Sequence, residues 1–157
     1  MAEPRDCRLL KIVSGGQTGV DRAALDVAIE LGIGHGGWCP RGRLAEDGPI
    51  AARYLLCETE AADYAVRTER NVLDSDATIV LCQGTPDGGT ELTVRLALRH
   101  AKPCLSIDLD QPRPLAEIGQ WLTDNRVTVL NVAGPRESRQ PGIGKKAGQL
   151  LRALLAP

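Results

Sequence analysis

The chain has 157 residues and a formal net charge of -1; 43% of its residues fall in the apolar set AVILMFWYC and 25% are charged. That is the globular norm at the length of one ordinary domain, 1–157, which excludes wholesale disorder. No apolar run approaches the roughly 18–20 residues of a membrane span, the N-terminus MAEPRDCRLL has no signal-peptide core, and near-neutral charge with only 3% aromatics argues against a nucleic-acid binder.

Short apolar runs alternate with helical patterns along the chain. Leu9–Val13 reads as a first strand that runs into Ser14-Gly15-Gly16-Gln17-Thr18-Gly19. Val20, Ala23, Ala24, Val27, Ala28 and Leu31 then make the stripe of a helix packed on a sheet, and Gly32 stops it. Residues 33–49 hold five glycines and no apolar period, which predicts a long irregular loop around at most a short strand. A helix over 66–75 follows, then the buried strand Ala77–Cys82, the loop Gln83–Gly89 and a helix from Thr90 to His100. Pro103–Ile107 is a strand, 114–124 a helix and Val127–Val132 a strand. The loop GPRESRQPGIG leads to a last helix with its stripe at Ile143, Ala147, Leu150, Leu151, Leu154 and Leu155. Strands alternating with helices predict a doubly wound, mostly parallel α/β sheet covered by helices on both faces, in three layers.

Five cysteines (Cys7, Cys39, Cys57, Cys82 and Cys104) lie scattered without a CxxC pair. They read as reduced thiols in a cytoplasmic protein. His35 with Cys39 is a single weak pair, so no metal site is expected.

Ligands of open α/β sheets bind at the carboxyl ends of the strands. Three glycine-rich loops, 14–19, 83–89 and 134–144, follow predicted strands and should meet at that edge. Each also opens a helix, whose first turn offers unpaired N–H groups to an anion. Arg136, Arg139, Lys145 and Lys146 add positive charge there. The 14–19 loop has the form GxGxxG with Ser14 in the first glycine position, but no acidic residue stands about 20 residues on to take a dinucleotide ribose. Gly144-Lys145-Lys146 fails as a P-loop, since Arg139 replaces the required glycine and no Ser or Thr follows the lysine.

Several residues have two readings. Asp21 either favours the N-terminus of the first helix or accepts hydrogens from a ligand heterocycle. Trp38 is either a packed lid or a stacking surface for a planar ring. Cys39 is either an inert thiol or a ligand contact. Asp87 and Glu91 flank Gly88-Gly89-Thr90 as surface caps by default. Arg136 either holds a phosphate or pairs with a carboxylate such as Glu137.

The run Ser14-Gly15-Gly16-Gln17-Thr18-Gly19-Val20-Asp21-Arg22-Ala23-Ala24-Leu25-Asp26 resembles the molybdenum cofactor carrier family, as does Gly36-Gly37-Trp38-Cys39-Pro40-Arg41-Gly42-Arg43 with Ala45-Glu46-Asp47-Gly48. So do Arg67-Thr68-Glu69-Arg70-Asn71-Val72, Asp74-Ser75-Asp76, Gly88-Gly89-Thr90 and Asn131-Val132-Ala133-Gly134-Pro135-Arg136-Glu137-Ser138. The resemblance covers residues 10–155. It implies a Rossmann-like fold within the wider lysine-decarboxylase-like superfamily, which includes the cytokinin-activating phosphoribohydrolases. It also implies a homodimer or homotetramer, binding of the molybdenum cofactor (a phosphorylated pyranopterin dithiolene), and molybdoenzymes as recipients. The expected contacts, drawn from these motifs, are Ser14, Gly15, Gly16, Gln17, Thr18, Asp21 and Arg22 in the first, and Trp38, Cys39 and Pro40 in the second. Gly88, Gly89 and Thr90, and Arg136 with Ser138, complete them.

The superfamily's hydrolases carry PGGxGTxxE, with Glu three residues after Thr. Here Glu91 follows Thr90 at once and Thr93 takes the third place. Binding without chemistry is therefore the leading expectation. Cleavage of a nucleoside monophosphate, and sensing of a nucleotide-derived ligand, are the alternatives.

Overall fold

The computed structural model describes residues 8–157. In chain order these form β1 (Lys11–Val13), α1 (Val20–Leu31), β2 (Gly34–Gly36), β3 (Trp38–Cys39), β4 (Leu44–Ala45), β5 (Gly48–Pro49) and β6 (Cys57–Glu58). There follow α2 (Tyr64–Leu73), β7 (Ala77–Cys82), α3 (Gly88–Arg99), β8 (Cys104–Asp108), α4 (Leu115–Asp124), β9 (Val129–Ala133) and α5 (Ile143–Leu155).

Five strands make one sheet in the order β2-β1-β9-β7-β8, and every pairing in it is parallel. The last strand lies in the middle. Followed from β9 through α5 to β1 and onward, the strands fall in the order 3-2-1-4-5 of a nucleotide-binding doubly wound sheet. The chain is that sheet cut open between its first and second strands, β9 and β1.

Period-two alternation explains how both faces are covered. In β7, Ala77, Ile79 and Leu81 enter the larger core with Ile12, Leu130 and Val132, against Val20, Ala24 and Val27 of α1 and Ile143, Ala147 and Leu151 of α5. Ile118 of α4 joins the same core. The opposite face holds Val72 of α2 with Leu96 and Ala97 of α3. Between the two helices on that side and the sheet lie buried polar residues, Thr78 and Asn131, joined by a 3.2 Å hydrogen bond.

Three of the differences from the sequence reading have a local cause. Helix α2 starts at Tyr64 because the Asp63 carboxylate caps it, accepting from Ala65 N–H at 2.9 Å. Strand β9 starts at Val129 because Asp76 takes the N–H groups of Thr128 and Val129 first. Within the glycine-rich stretch 33–49, Gly34–Gly36 is an edge strand of the main sheet, in register Lys11↔Gly34 with β1. A side chain at 34 would stand 2.8 Å from the Leu10 carbonyl oxygen, so close approach, not strand propensity, selects glycine. The rest of that stretch forms a small antiparallel hairpin of β4 and β5, while β3 pairs with β6.

Among the described residues no helix is long and apolar enough to cross a membrane. The thiols of Cys39, Cys57, Cys82 and Cys104 are free; Cys7 lies outside the described residues. Burial pushes the Cys39 and Cys82 thiols up and that of Cys104 to about 11, which makes them poor nucleophiles. Gly119 sits inside α4 with no atom within 4 Å of where a Cβ would be. Gly119→Ala should therefore raise stability by about 0.5–1 kcal/mol, read as a higher urea midpoint at unchanged slope.

Candidate functional site

A cleft of about 260 Å³ opens at the carboxyl ends of the central strands. Its floor is the end of β9, Asn131 to Gly134. Gly15, Gln17 and Asp21 line one side, Gly89, Thr90 and Thr93 of α3 another, and Tyr64, Arg67 and Thr68 of α2 lean over it. Arg136 and Arg139 stand at the rim. Loop 14–19 and the loops after β7 and β9 thus meet at one place, beside the point where the strand order reverses.

The most buried charge of the cleft is Asp21, in the first turn of α1. Its carboxylate pairs with Arg67 of α2 at 3.1 Å, with side chains only 4% and 15% exposed. It also accepts the Gln17 N–H at 3.4 Å. Burial pushes the Asp21 carboxyl above the ordinary carboxylate value, against the opposing pull of Arg67. The guanidinium lies directly on Gly15: a Cβ there would fall 1.6 Å from Arg67 Nη1. The second loop position is thus glycine so that Arg67 can reach Asp21. Arg67 Nε is buried without an acceptor among the described residues.

The three helix N-termini are not equivalent. Glu137 satisfies that of α5, accepting from Gly142 N–H at 2.6 Å and Gly144 N–H at 3.2 Å. At α1, Val20 N–H donates to the Pro135 carbonyl. At α3 the Asp87 side chain makes no cap, and the N–H groups of Gly88 and Gly89 find no acceptor among the described residues. The Arg139 guanidinium lies over Gly88, 3.3 Å from where its Cβ would be, and 3.5 Å from Asp87. An open helix terminus beside guanidinium groups attracts an anion.

Of the residues singled out from the sequence, Gly15, Gln17, Asp21, Asp87, Gly89, Thr90, Arg136 and Arg139 line this cleft. The others lie outside its lining. The Ser14 hydroxyl donates to the Val132 carbonyl at 2.7 Å, tying β1 to β9. Gly16, at φ +79°, faces Leu56 and Ile50. The Thr18 hydroxyl binds Glu46, and Arg22 pairs with Asp47 at 2.5 Å. Trp38 donates its indole N–H to Asp74 at 2.7 Å and lies under Arg70. Cys39 is buried with Leu25, Ile50 and Tyr54, and Pro40 accepts the Arg43 N–H. Gly88 sits just above the lining residue Gly89, and Ser138 binds Glu46. The carboxylate nearest Arg136 is Glu46, at 3.8 Å, not Glu137. Lys146 pairs with Asp110, away from the cleft.

Arg67, Tyr64 and Asn131 are among the lining residues that loop reasoning missed. Arg67 and Asn131 stand inside motifs of the sequence, but nothing local shows that a helix 46 residues after Asp21 returns its arginine to that carboxylate. Tyr64 is 46% exposed, with Arg67 5.6 Å from its ring centre, and is the aromatic of this cleft in place of Trp38.

Comparison with known proteins agrees with this fold. A solved structure from Syntrophus aciditrophicus SB, named a putative molybdenum carrier protein, is 46% identical and superposes with a TM-score of 0.90, over 94% of this chain and 96% of that one. No curated protein matches the sequence. A family model described as the circularly permutated YpsA SLOG family matches residues 12–155, and the displaced central strand is the permutation itself. The chain belongs to the circularly permutated YpsA SLOG family.

Proposed function

We propose that this protein binds and carries a small phosphorylated cofactor of pterin type, the molybdenum cofactor, in the cleft at the carboxyl ends of β1, β7 and β9. One observation carries the reading: a buried carboxylate and an open helix terminus share one cleft with three guanidinium groups, Arg67, Arg136 and Arg139. The name of the 46% identical relative supports the carrier role. When bound, the cofactor supplies a phosphate, a flat ring with N–H donors and a metal on two sulfurs. The residues fit the first two. Gly88 and Gly89 N–H with Arg139 and Arg136 would hold the phosphate, and Asp21 with Tyr64 would meet the ring. Among the described residues no three His, Cys, Asp or Glu side chains group to hold a metal ion, so the protein would grip the organic part.

In this reading the carrier works as a homodimer or homotetramer in the cytoplasm and passes its cargo to molybdoenzymes. Glu91, the residue that a hydrolytic reading needs, pairs with Arg95 at 3.6 Å; both side chains are more than half exposed, and Glu91 is not among the cleft-lining residues. Binding is the better-supported reading.

Arg136 tests the phosphate contact. Its fork can make two parallel bonds that lysine cannot reproduce. Arg136→Lys should weaken a phosphorylated ligand by about tenfold or more, since a charge-assisted bond contributes roughly 1.5–3 kcal/mol. Titration of both proteins at fixed salt decides. Unchanged affinity would leave Arg136 as a surface partner of Glu46, worth about 0–1 kcal/mol.

A further inference from the structure

The motif Ala45-Glu46-Asp47-Gly48 is the tip of the β4–β5 hairpin, and the cleft does not use it. Its Glu46 carboxylate is gripped by a ring of donors. The Thr18 hydroxyl donates to Oε1, the Ser138 N–H donates to Oε1 at 3.1 Å, and the Ser138 hydroxyl donates to Oε2. Arg136 Nε stands 3.8 Å from Oε2. These donors come from two loops, 14–19 and 134–142, that are far apart in sequence and flank the cleft. A backbone N–H, two hydroxyls and a guanidinium converging on one point form a seat for an oxyanion. The hydroxyls of Ser138 and Thr18 hold the Glu46 carboxyl below the ordinary carboxylate range, as such a seat would.

The hairpin that delivers Glu46 is fixed at its base and tethered by charge at its tip. Arg43 donates to the carbonyls of Ile50, Ala51, Tyr54 and Leu56. The tip is held by Glu46 in its seat, by the Glu46 N–H on Gln17 and by Asp47 on Arg22. Gly48, at φ +109°, gives the turn a backbone that other residues rarely adopt.

We propose that the Thr18, Ser138 and Arg136 donors form a second anion subsite beside the cleft, one that takes a phosphate group, and that Glu46 occupies it as a tethered competitor. The inference rests on the reading of the cleft as a phosphorylated-ligand site, whose rim it shares through Arg136. An incoming dianion outbids the single charge of Glu46 and releases the hairpin tip; when the ligand leaves, Glu46 returns. A tethered group competes at an effective concentration of about millimolar.

Inorganic pyrophosphate is the probe, titrated calorimetrically at constant ionic strength into the intact protein. Glu46→Gln and Glu46→Ala should bind it about five- to twentyfold more tightly than the unaltered chain. Adding Ser138→Ala to Glu46→Gln should remove most of that gain. Circular dichroism and urea midpoints check that each variant is folded, and Glu46→Gln keeps the hydrogen-bond acceptor if Glu46→Ala loosens the hairpin. Equal or weaker binding in both folded variants would overturn the proposal and make Glu46 a strut between the loops. A gain that survives Ser138→Ala would also overturn it, by placing the anion elsewhere. No pyrophosphate binding by any of these proteins overturns the subsite alone, since the cleft is judged separately by its own cofactor.

Discussion

Arg67→Met is expected to destabilise the protein by about 3–5 kcal/mol at neutral pH, the usual result of stripping one partner from a buried ion pair. The carboxylate left behind, Asp21, is 3% exposed, and the Gln17 N–H at 3.4 Å is a weak substitute for a guanidinium. Removing both charges should be far milder, so Asp21→Asn with Arg67→Met should recover most of the loss in a double-mutant cycle. The pH dependence has a definite sign. Because the folded Asp21 carboxyl lies above its ordinary value of 3.8, it holds its proton more tightly folded than unfolded. Its contribution is full below that value and is lost as pH climbs through the raised one. Without Arg67 the carboxyl rises further, so the deficit of Arg67→Met should be small near pH 4 and grow toward pH 7. Urea midpoints across that range measure it; a deficit independent of pH would show that lost packing, not the orphaned charge, sets the cost.

Gly134→Ala is expected to cost about 3 kcal/mol or more, because it drives a methyl group into atoms that cannot retreat. Its Cβ would lie 2.2 Å from the Leu81 carbonyl oxygen and 2.6 Å from Val20 Cγ2. The first is backbone of the central strand β7, and the second belongs to a side chain with no exposed surface. The contrast with Gly15 is instructive. There the obstacles are the end of a flexible arginine and, at 2.9 Å, the Asp21 carboxylate oxygen it pairs with, so the cost of Gly15→Ala should be mainly that of evicting Arg67. Gly15→Ala with Arg67→Met should then be little worse than Arg67→Met alone. Thermal and urea unfolding of these variants test both statements, and a stable, cooperative Gly134→Ala would contradict the close approach of β7 to the loop after β9.

The parts of this fold legible from sequence are those fixed by local periodicity. The stripe Val20 to Leu31 and the unbroken run Ala77 to Cys82 need no tertiary information, and the structure has α1 and β7 at those bounds. Strand order is different in kind. That β9 inserts between β1 and β7 depends on contacts such as Ser14 to Val132, 118 residues apart, which leave no trace in any window of sequence. Edge strand β2 was hidden for another reason: Gly34-His35-Gly36 lacks β-branched residues, and its ladder with β1, where a Cβ at 34 would crowd the Leu10 carbonyl, makes it a strand. Glycine loops and strand ends were enough to place a cleft at this sheet edge. They could not show which donors already have a partner within the folded chain. Thr18, Ser138 and Glu137 look like anion contacts or free surface in sequence, yet Glu46 takes the first two and Glu137 caps α5. Such internal satisfaction is a property of loops meeting in space.

The central claim is that the cleft holds a phosphorylated pterin cofactor. Gel filtration of the purified protein mixed with the molybdenum cofactor tests it most directly, with the pterin and molybdenum content of each fraction measured. Comigration of both with the protein is the predicted result, strongly reduced by Arg139→Ala, which should still fold because Arg139 is half exposed. Elution of all the cofactor at the small-molecule volume would contradict the account.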